Sequence, residues 1–414
     1  MEILHIEDLT FRYPDAPRPA LQNVSLSVSD GEFAVICGVS GCGKSTLLRL
    51  IKRELAPFGE KSGVIMYDGQ PQEALDLRTE CTGIGFVQQR PESQIVTDKV
   101  WHELAFGLES LGLPTEAIRR RVCETAAYFG IEAWFRQNTA ELSGGQKQLL
   151  NLAGVTVMQP KLLLLDEPTA QLDPIAAADF ITTIQKLNRE LGITVLLVEH
   201  RLEEVLPIAD RVILMEDGAI GFDGSPRRFA DSLSRNGEHP MASALPASAK
   251  IFRDLGESGE CPLTVREGRD FISSTFENRI RALTEKSAPE RSEKAVRVQD
   301  IRFRYARESA DILRDVSLDV CRGEHLCLLG GNGTGKTTLL GILSGALKPY
   351  HGTVTLDGKK LGAYSAKDLY HKNIAVLPQD PQTVFLKKTV CEDLRETCRA
   401  MEYGNDLFRT VLSA

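Results

Sequence analysis

The chain has 414 residues, long for one domain and comfortable for two or three, with 42% hydrophobic and 26% charged residues, the balance of an ordinary globular protein. Its formal net charge of −8 contains no block of like charge, so nothing in the charge balance supports a nucleic-acid partner, and none is expected. The nine cysteines (37, 42, 81, 123, 261, 321, 327, 391 and 398) are odd in number and form no C-x-x-C pair, which argues for reduced thiols rather than a disulfide framework or zinc site. No apolar run approaches the roughly 18–20 residues of a spanning helix. Met1-Glu2-Ile3-Leu4-His5 has neither the cationic region nor the apolar core of a signal peptide. A soluble chain is expected, with any membrane role running through a partner.

In chain order, strands are expected near 26–28 and 33–36, and the second feeds Gly38-Val39-Ser40-Gly41-Cys42-Gly43-Lys44-Ser45-Thr46. A β-branched run, then G-x-x-x-x-G-K-S, then an apolar helix start is the setting of a phosphate-binding loop. Gly41 and Gly43 allow the backbone N–H groups to turn inward, and the following helix adds its positive end. Lys44 would reach the β- and γ-phosphates and the Ser45 hydroxyl would ligate Mg²⁺. Cys42, a thiol at a helix start inside this loop, is a candidate reactive cysteine. A helix over 46–55 follows, then a strand with an Asp-Gly turn over 63–69 and another strand over 84–87 leading to Gln88-Gln89-Arg90-Pro91. Residues 97–127 read as helical, broken by Pro114. Buried strands over 161–167 and 193–198 end in Asp166-Glu167 and Glu199-His200. Apolar strands alternating with helices predict a parallel sheet covered on both faces, with ligands at the carboxyl ends of its strands.

The chain contains a repeat. Leu9-Thr10-Phe11-Arg12-Tyr13 returns as Ile301-Arg302-Phe303-Arg304-Tyr305, and Asp30-Gly31-Glu32 as Arg322-Gly323-Glu324. The phosphate loop returns as Gly330-Gly331-Asn332-Gly333-Thr334-Gly335-Lys336-Thr337-Thr338. Tyr13 to Tyr305 and Lys44 to Lys336 are both 292 positions apart (305 − 13, 336 − 44). The second copy is expected to have its strand before the phosphate loop. Ile374-Ala375-Val376-Leu377-Pro378-Gln379-Asp380-Pro381 is equivalent to the strand end and the segment holding Gln89, but only 35 residues follow Gln379 (414 − 379), whereas Gln89 to Asp166 takes 77 (166 − 89). The second copy is therefore expected to lack the acidic strand end. Three parts are expected: a first module over 1–232, a linker with short helices (near 250–255 and 267–283) over 233–292, and the first part of a second module over 293–414. A longer natural chain is the expected explanation of the short second copy.

Between the first phosphate loop and the acidic strand lies Glu141-Leu142-Ser143-Gly144-Gly145-Gln146-Lys147-Gln148, with Ser143 99 residues after Lys44 (143 − 44) and 23 before Asp166 (166 − 143). With that segment the chain resembles the ATPase subunits of ATP-binding cassette (ABC) systems in tandem form. The resemblance implies an α/β P-loop NTPase fold of ABC type, with a parallel core sheet, an antiparallel β subdomain and a helical subdomain, the second copy incomplete. It implies ATP and Mg²⁺ as ligands, both phosphate loops binding ATP, and Ser45, Gln89, Asp166 and Thr337 around the metal. Glu167 resembles the catalytic base that polarises water, and His200 the switch histidine at the γ-phosphate. Gln89 resembles the glutamine that senses Mg²⁺ and γ-phosphate; Gln88 is the competing assignment, with the Q-x-P spacing shared with Gln379 favouring Gln89. Tyr13 and Tyr305 resemble the aromatic that stacks on adenine, and Asp173, in Gln171-Leu172-Asp173-Pro174, resembles the family's loop that couples the two sites. Ser143, Gly144, Gly145 and Gln146 would serve a nucleotide held by the opposite module of a head-to-tail dimer.

The stretch from Gln89 to Glu109, with Val198-Glu199-His200-Arg201 and Ala170-Gln171-Leu172-Asp173, is similar to ATPases of energy-coupling factor importers, which take up vitamins or transition-metal ions. That similarity implies a peripheral subunit on the cytoplasmic face of the membrane. It also implies an integral membrane partner, held through a groove near Gln89 lined by Ile95, Val96 and Leu104. Ordinary core packing of those three residues is the alternative. Two other readings stay open: a soluble tandem ATPase acting on the ribosome, and a truncated product that binds ATP without turning it over alone.

Overall fold

The computed structural model describes residues 1–235, 239–256, 259–276, 293–371 and 373–413. The chain divides into two compact units, Met1–Leu283 and Thr284–Ala414.

The first unit begins with β1 (Glu2–Arg12) and β2 (Leu21–Ser29), which pair antiparallel, followed by β3 (Phe33–Cys37) and helix α1 (Lys44–Ile51). The helix expected over 46–55 stops at Ile51, and Arg53–Leu55 forms a separate 3-10 turn. Strands β4 (Glu60–Tyr67) and β5 (Gln70–Pro71) complete a four-stranded antiparallel sheet of order β2-β1-β4-β5. Next come α2 (Leu77–Gly83), β6 (Ile84–Val87), α3 (Val100–Ser110) and α4 (Thr115–Phe129). Pro114 marks the boundary between these last two helices. It sits at the N-terminal cap of α4, where its missing N–H costs nothing, and Gly130 closes α4 in a left-handed conformation. The unit continues through α5 (Gly144–Thr156), β7 (Leu162–Asp166), α6 (Pro174–Leu191), β8 (Thr194–Val198), β9 (Arg211–Glu216) and β10 (Ala219–Gly224).

The second sheet has the order β10-β9-β3-β8-β7-β6, parallel except for the β10–β9 hairpin. Its central strands are buried along their whole length, so the period-2 alternation of side chains feeds two different cores. Val35, Leu163, Leu165, Val195 and Leu197 face the helical side with α3–α6. Ile36, Leu162, Leu164, Leu196 and Val198 face α1 and the antiparallel sheet. The phosphate loop, the acidic strand end and the histidine therefore all emerge at the carboxyl ends of adjacent strands, β3, β8 and β7.

Helices α7 (Pro226–Arg235), α8 (Ala247–Asp254) and α9 (Val265–Phe276) follow. The stretch expected as a linker is part of the first unit as far as residue 276. Met241, Leu245, Ala249, Phe252, Cys261 and Leu263 join the helical-side core, and Arg227 pairs with Glu267. The end of the helix expected over 267–283, beyond residue 276, lies outside the described residues. Phe252 packs edge-on against Phe271 at 5.0 Å. Replacing Phe252 by Ala is expected to cost about 3 kcal/mol of first-unit stability, read as a lower midpoint in denaturant. An unchanged midpoint would show that this segment is only draped on the unit.

The second unit holds β11 (Lys294–Phe303), β12 (Leu313–Cys321), α10 (Lys336–Leu343), β13 (His351–Leu356), β14 (Lys359–Lys360), α11 (Ala366–Tyr370), α12 (Val390–Ala400) and α13 (Asn405–Ser413). Its antiparallel sheet, β12-β11-β13-β14, repeats the first. The strands expected before the second phosphate loop and over 374–377 do not form. The physical reason is pairing: in the first unit β3 lies between β8 and β9, and β6 is hydrogen-bonded to β7, strands without a counterpart among the described residues of the second unit. The consequence is exposed apolar surface. Leu329 and Leu377 are 91% and 81% exposed, whereas their first-unit counterparts, Cys37 (329 − 292) and Val87 (377 − 290), are fully buried.

Candidate nucleotide site

The phosphate loop joins β3 to α1 with Gly38, Gly41 and Gly43 all at positive φ (146°, 85° and 105°). Two of them are also sterically compelled: a Cβ on Gly38 would lie 2.3 Å from the Met215 carbonyl, and one on Gly43 2.5 Å from that of Ala20. Val39, Ser40 and Gly41 are exposed at the rim, and Thr46 is buried behind it. Lys44 folds back over the loop, donating to the carbonyls of Gly38 (2.9 Å) and Val39 (3.0 Å). Cys42 is buried, its Sγ 3.7 Å from the Lys44 ammonium, so the thiol is shielded rather than presented. The neighbouring Cys37 thiol is pushed up to about 12, chiefly by burial.

The second unit repeats this geometry. Gly330, Gly333 and Gly335 have φ of 155°, 80° and 95°, and Lys336 donates to Gly330 (2.8 Å) and Gly331 (2.6 Å). The Thr334 hydroxyl donates to Gly331. The aromatic motif is duplicated as well: the Tyr13 hydroxyl meets Thr46 Oγ1 at 3.0 Å and that of Tyr305 meets Thr338 Oγ1 at 3.2 Å. Each tyrosine stands edge-on to a phenylalanine two residues earlier, which fixes its ring beside the loop. Thr337, Asn332 and Gln379 are exposed, and among the described residues of their unit no acidic strand end matches Asp166 and Glu167.

At the first site the acidic residues gather. The Ser45 hydroxyl donates to Asp166 Oδ1 at 2.8 Å, setting two hard oxygen donors side by side. That donor set fits Mg²⁺, which prefers oxygen ligands with several positions left to water and phosphate. Burial pushes the Asp166 carboxyl above its usual range, with Glu167 adding in the same direction and the Ser45 hydrogen bond opposing both. Because the charged form is disfavoured in the fold, Asp166 costs stability once pH rises past its unfolded pKa of ~3.9. Asp166→Asn is therefore expected to raise the melting temperature of the nucleotide-free protein by about 2–4 °C at neutral pH. The gain should shrink as pH falls toward ~4, while Mg²⁺-dependent ATP binding is lost. A lower melting temperature at neutral pH would sink this account.

Glu167 has φ 46°, a left-handed conformation unusual for a glutamate, held by Glu167 N–H to Val198 O (3.0 Å) and Ala170 N–H to Glu167 O (3.2 Å). The twist turns its side chain into a clamp. Oε1 meets His200 Nε2 at 2.7 Å and Oε2 accepts from Gln89 Nε2 at 3.0 Å. The hydrogen bond from His200 holds the Glu167 carboxyl below its usual range, against the opposing effect of burial. Gln88 faces elsewhere: its Oε1 accepts from the Ser93 hydroxyl, so of the two glutamines only Gln89 reaches the acid.

Ser143 caps α5, its Oγ accepting from Gln146 N–H and the Gln146 side chain accepting from Ser143 N–H in return. Ser143 is exposed, with Gly144 and Gly145 half-buried on the first turn. Asp173 caps α6 by accepting from Ile175 and Ala176. Of the three residues expected to line a groove near Gln89, Leu104 is instead fully buried in the core and Ile95 packs partly against it. Val96 is exposed, and with His102, Phe106 and Glu109 it lines a surface depression on the same side. A further residue, not singled out from the sequence, enters the site from behind: Glu199 is buried and hydrogen-bonded to both strand-end loops. Its visible signals were its place directly before the strand-end histidine and its membership of the Val198-Glu199-His200-Arg201 segment.

A nucleotide-triphosphatase of the ABC type is the class that this loop, acid pair and helix-capping signature define. The ABC transporter family profile matches residues 21–170 and 313–411. A Bacillus cereus protein described as a candidate ABC transporter ATP-binding protein is 43% identical over 404 residues, covering 96% of this chain and 71% of its own. A similarly described Methanosarcina mazei protein is 33% identical over 412 residues, covering 95% and 69%. Among solved structures, cbiO1 from Clostridium perfringens, described as part of the ABC transporter complex cbiONQ, is 33% identical with a TM-score of 0.52, covering 57% of this chain and 94% of that one. The chain belongs to the ABC transporter ATP-binding family, whose members use ATP with Mg²⁺. Among the described residues, no helix is long and apolar enough to cross a membrane.

Proposed function

We propose that the chain hydrolyses ATP to energise a membrane importer of the energy-coupling factor type, carrying a vitamin or transition-metal ion, from the cytoplasmic face of the membrane. The observation that carries the reading is the hydrogen bond from Gln89 to Glu167. It joins the segment leading to the exposed Val96–Phe106 surface directly to the acid that would act on water. A partner helix seated there can move Gln89, and with it the base. The cbiO1 likeness supports the importer subgroup, because that protein is described as part of a transporter complex.

In this reading Lys44 and the loop N–H groups hold the β- and γ-phosphates and Tyr13 supports adenine, with Ser45 and Asp166 holding Mg²⁺. Bound there, Mg²⁺ supplies charge neutralisation on the phosphates. Glu167, released from its clamp as His200 and Gln89 turn to the γ-phosphate, takes a proton from the attacking water. The new bond is water oxygen to γ-phosphorus, and the bond to the bridging oxygen breaks, leaving ADP and phosphate. Completing the site requires Ser143–Gln146 of an opposing module, in a head-to-tail pair.

A second reading concerns turnover by this chain alone. The second unit offers a phosphate loop without an acid pair, and its exposed Leu329 and Leu377 mark a sheet without its neighbours. Two first units from separate chains would then form the working pair, or the chain binds ATP without hydrolysing it by itself.

Affinity capture from detergent-solubilised membranes of the source cell tests the importer reading. Wild type is expected to retrieve an integral membrane protein, and Phe106→Asp, which places a charge on the depression, is expected to lose it. Retrieval unaffected by Phe106→Asp would move the partner elsewhere, and no membrane protein with either chain would end the importer reading.

A further inference from the structure

The carboxyl end of β8 contains a buried acid that the hydrolytic scheme above does not use. Glu199 is 3% exposed, and its carboxylate accepts four hydrogen bonds from two different loops. On one oxygen it receives the N–H (3.3 Å) and the hydroxyl of Thr169, in the turn after β7. On the other it receives the N–H of His200 (3.0 Å) and of Arg201 (3.4 Å). Its own N–H bonds the Ile36 carbonyl at 3.2 Å, one residue before the end of β3 and two before Gly38. The side chain therefore ties together the loops that carry Glu167 and His200, while the backbone of the same residue is bonded to the strand that feeds the phosphate loop.

A buried carboxylate needs both oxygens saturated by donors, and here every donor named comes from a strand-end loop rather than from a cation. That arrangement does more than fill space. Glu167 sits two residues before Thr169, and His200 directly follows Glu199, so the carboxylate spans the two backbones whose side chains meet at 2.7 Å. Thr169 also begins the turn whose Leu172 N–H bonds Thr169 O and which ends at Asp173, the cap of α6.

We propose that Glu199 is a positioning residue: by bridging the loops after β7 and β8 it sets the backbone from which His200 reads the γ-phosphate. The proposal rests on the ATPase reading above. It makes no demand on ADP, whose phosphates are held by the loop and Lys44, so a defect should appear only when a third phosphate is present. A carboxamide at this position supplies an acceptor on one side only. Either Thr169 N–H or the His200 and Arg201 N–H groups would then face an NH₂ group.

The test is equilibrium binding of ADP and of the non-hydrolysable triphosphate analogue AMP-PNP, with Mg²⁺, to the full chain. All variants carry Lys336→Ala so that only the first loop is read. Against that background Glu199→Gln is expected to leave ADP affinity within about twofold and to weaken the analogue about tenfold, the scale of one charge-assisted hydrogen bond. His200→Ala should show the same selective loss, and the double variant should be no worse than His200→Ala, because both changes act through one group. Thr169→Val, which removes only the hydroxyl, should shift the analogue in the same direction by less. It carries the test by the same criteria if Glu199→Gln does not fold.

Three outcomes overturn the proposal while leaving the ATPase reading intact. These are equal weakening of both nucleotides, which is general structural damage; no change at all; and a Glu199→Gln loss that adds in full to that of His200→Ala. Failure of the parent chain to bind either nucleotide overturns the ATPase reading, and this proposal with it.

Discussion

Glu167→Gln is expected to lower ATP hydrolysis by about 10²–10⁴-fold while leaving ATP bound, the range for removing a positioned general base. The amide keeps the shape of the side chain and one acceptor for His200, and the Gln89 amide need only turn over to offer its oxygen to the new NH₂ group, so little change in fold is expected. What disappears is the ability to take a proton. Turnover measured over a range of protein concentrations separates two arrangements. A rate that climbs faster than concentration, and that vanishes in Glu167→Gln, would show first units pairing between chains. A rate per chain independent of concentration would point to a site completed within one chain. Wild-type turnover equal to that of Glu167→Gln, with ATP still bound, would mean that the chain needs a further component to hydrolyse. Undiminished hydrolysis in Glu167→Gln would remove Glu167 from the chemistry altogether.

Lys44→Ala is expected to weaken ATP binding at the first loop by roughly 100-fold, about 3 kcal/mol, the upper range for one hydrogen bond to a charged group. The ammonium is already anchored on the Gly38 and Val39 carbonyls at 2.9 and 3.0 Å, so it is preorganised over the space that the phosphates enter. Its loss also removes the ties that fold the loop over, so some of the effect comes from the loop itself. Calorimetric titration gives a second readout, because the chain carries two such loops with matching lysine geometry. Wild type should bind two nucleotides, and Lys44→Ala and Lys336→Ala one each. A stoichiometry of one for wild type, abolished by Lys44→Ala alone, would show that the second loop is not competent as it stands. The exposed Leu329 directly before that loop is the physical reason such a result could arise: β3 is clamped between β8 and β9 in the first unit, and its counterpart is not.

Some of this protein was set by sequence alone. The glycine pattern Gly38, Gly41 and Gly43 dictates a loop because each stands at positive φ, and two of them stand where a Cβ would collide with a backbone carbonyl. The strands 162–166 and 194–198 were legible because runs of leucine and valine with no polar face can only be buried on both sides. The repeat, offset by 292 positions, was legible because both copies need the same tyrosine, glycines and lysine for the same geometry.

Other features were decided only by tertiary structure, since they depend on which distant segments become neighbours. The Q-x-P spacing favours Gln89 over Gln88 from sequence, but that its side chain meets an acid 78 residues away depends on the fold. Leu104 looked like a groove residue beside Gln89, but helical phase turns it into the core while Phe106, two positions on, faces out. Residues 240–263 looked like a linker because they are rich in serine and proline, yet they bury Met241, Leu245, Phe252 and Leu263 against the first unit. Conversely, the apolar stretch before the second loop read as a strand, and no strand formed. A strand is a property of pairing, and among the described residues no strand pairs with Leu326 and Leu329. Glu199 shows the same limit: an acid beside a histidine is ordinary in sequence, and its meaning comes from Thr169, which only the β7–β8 pairing brings within reach.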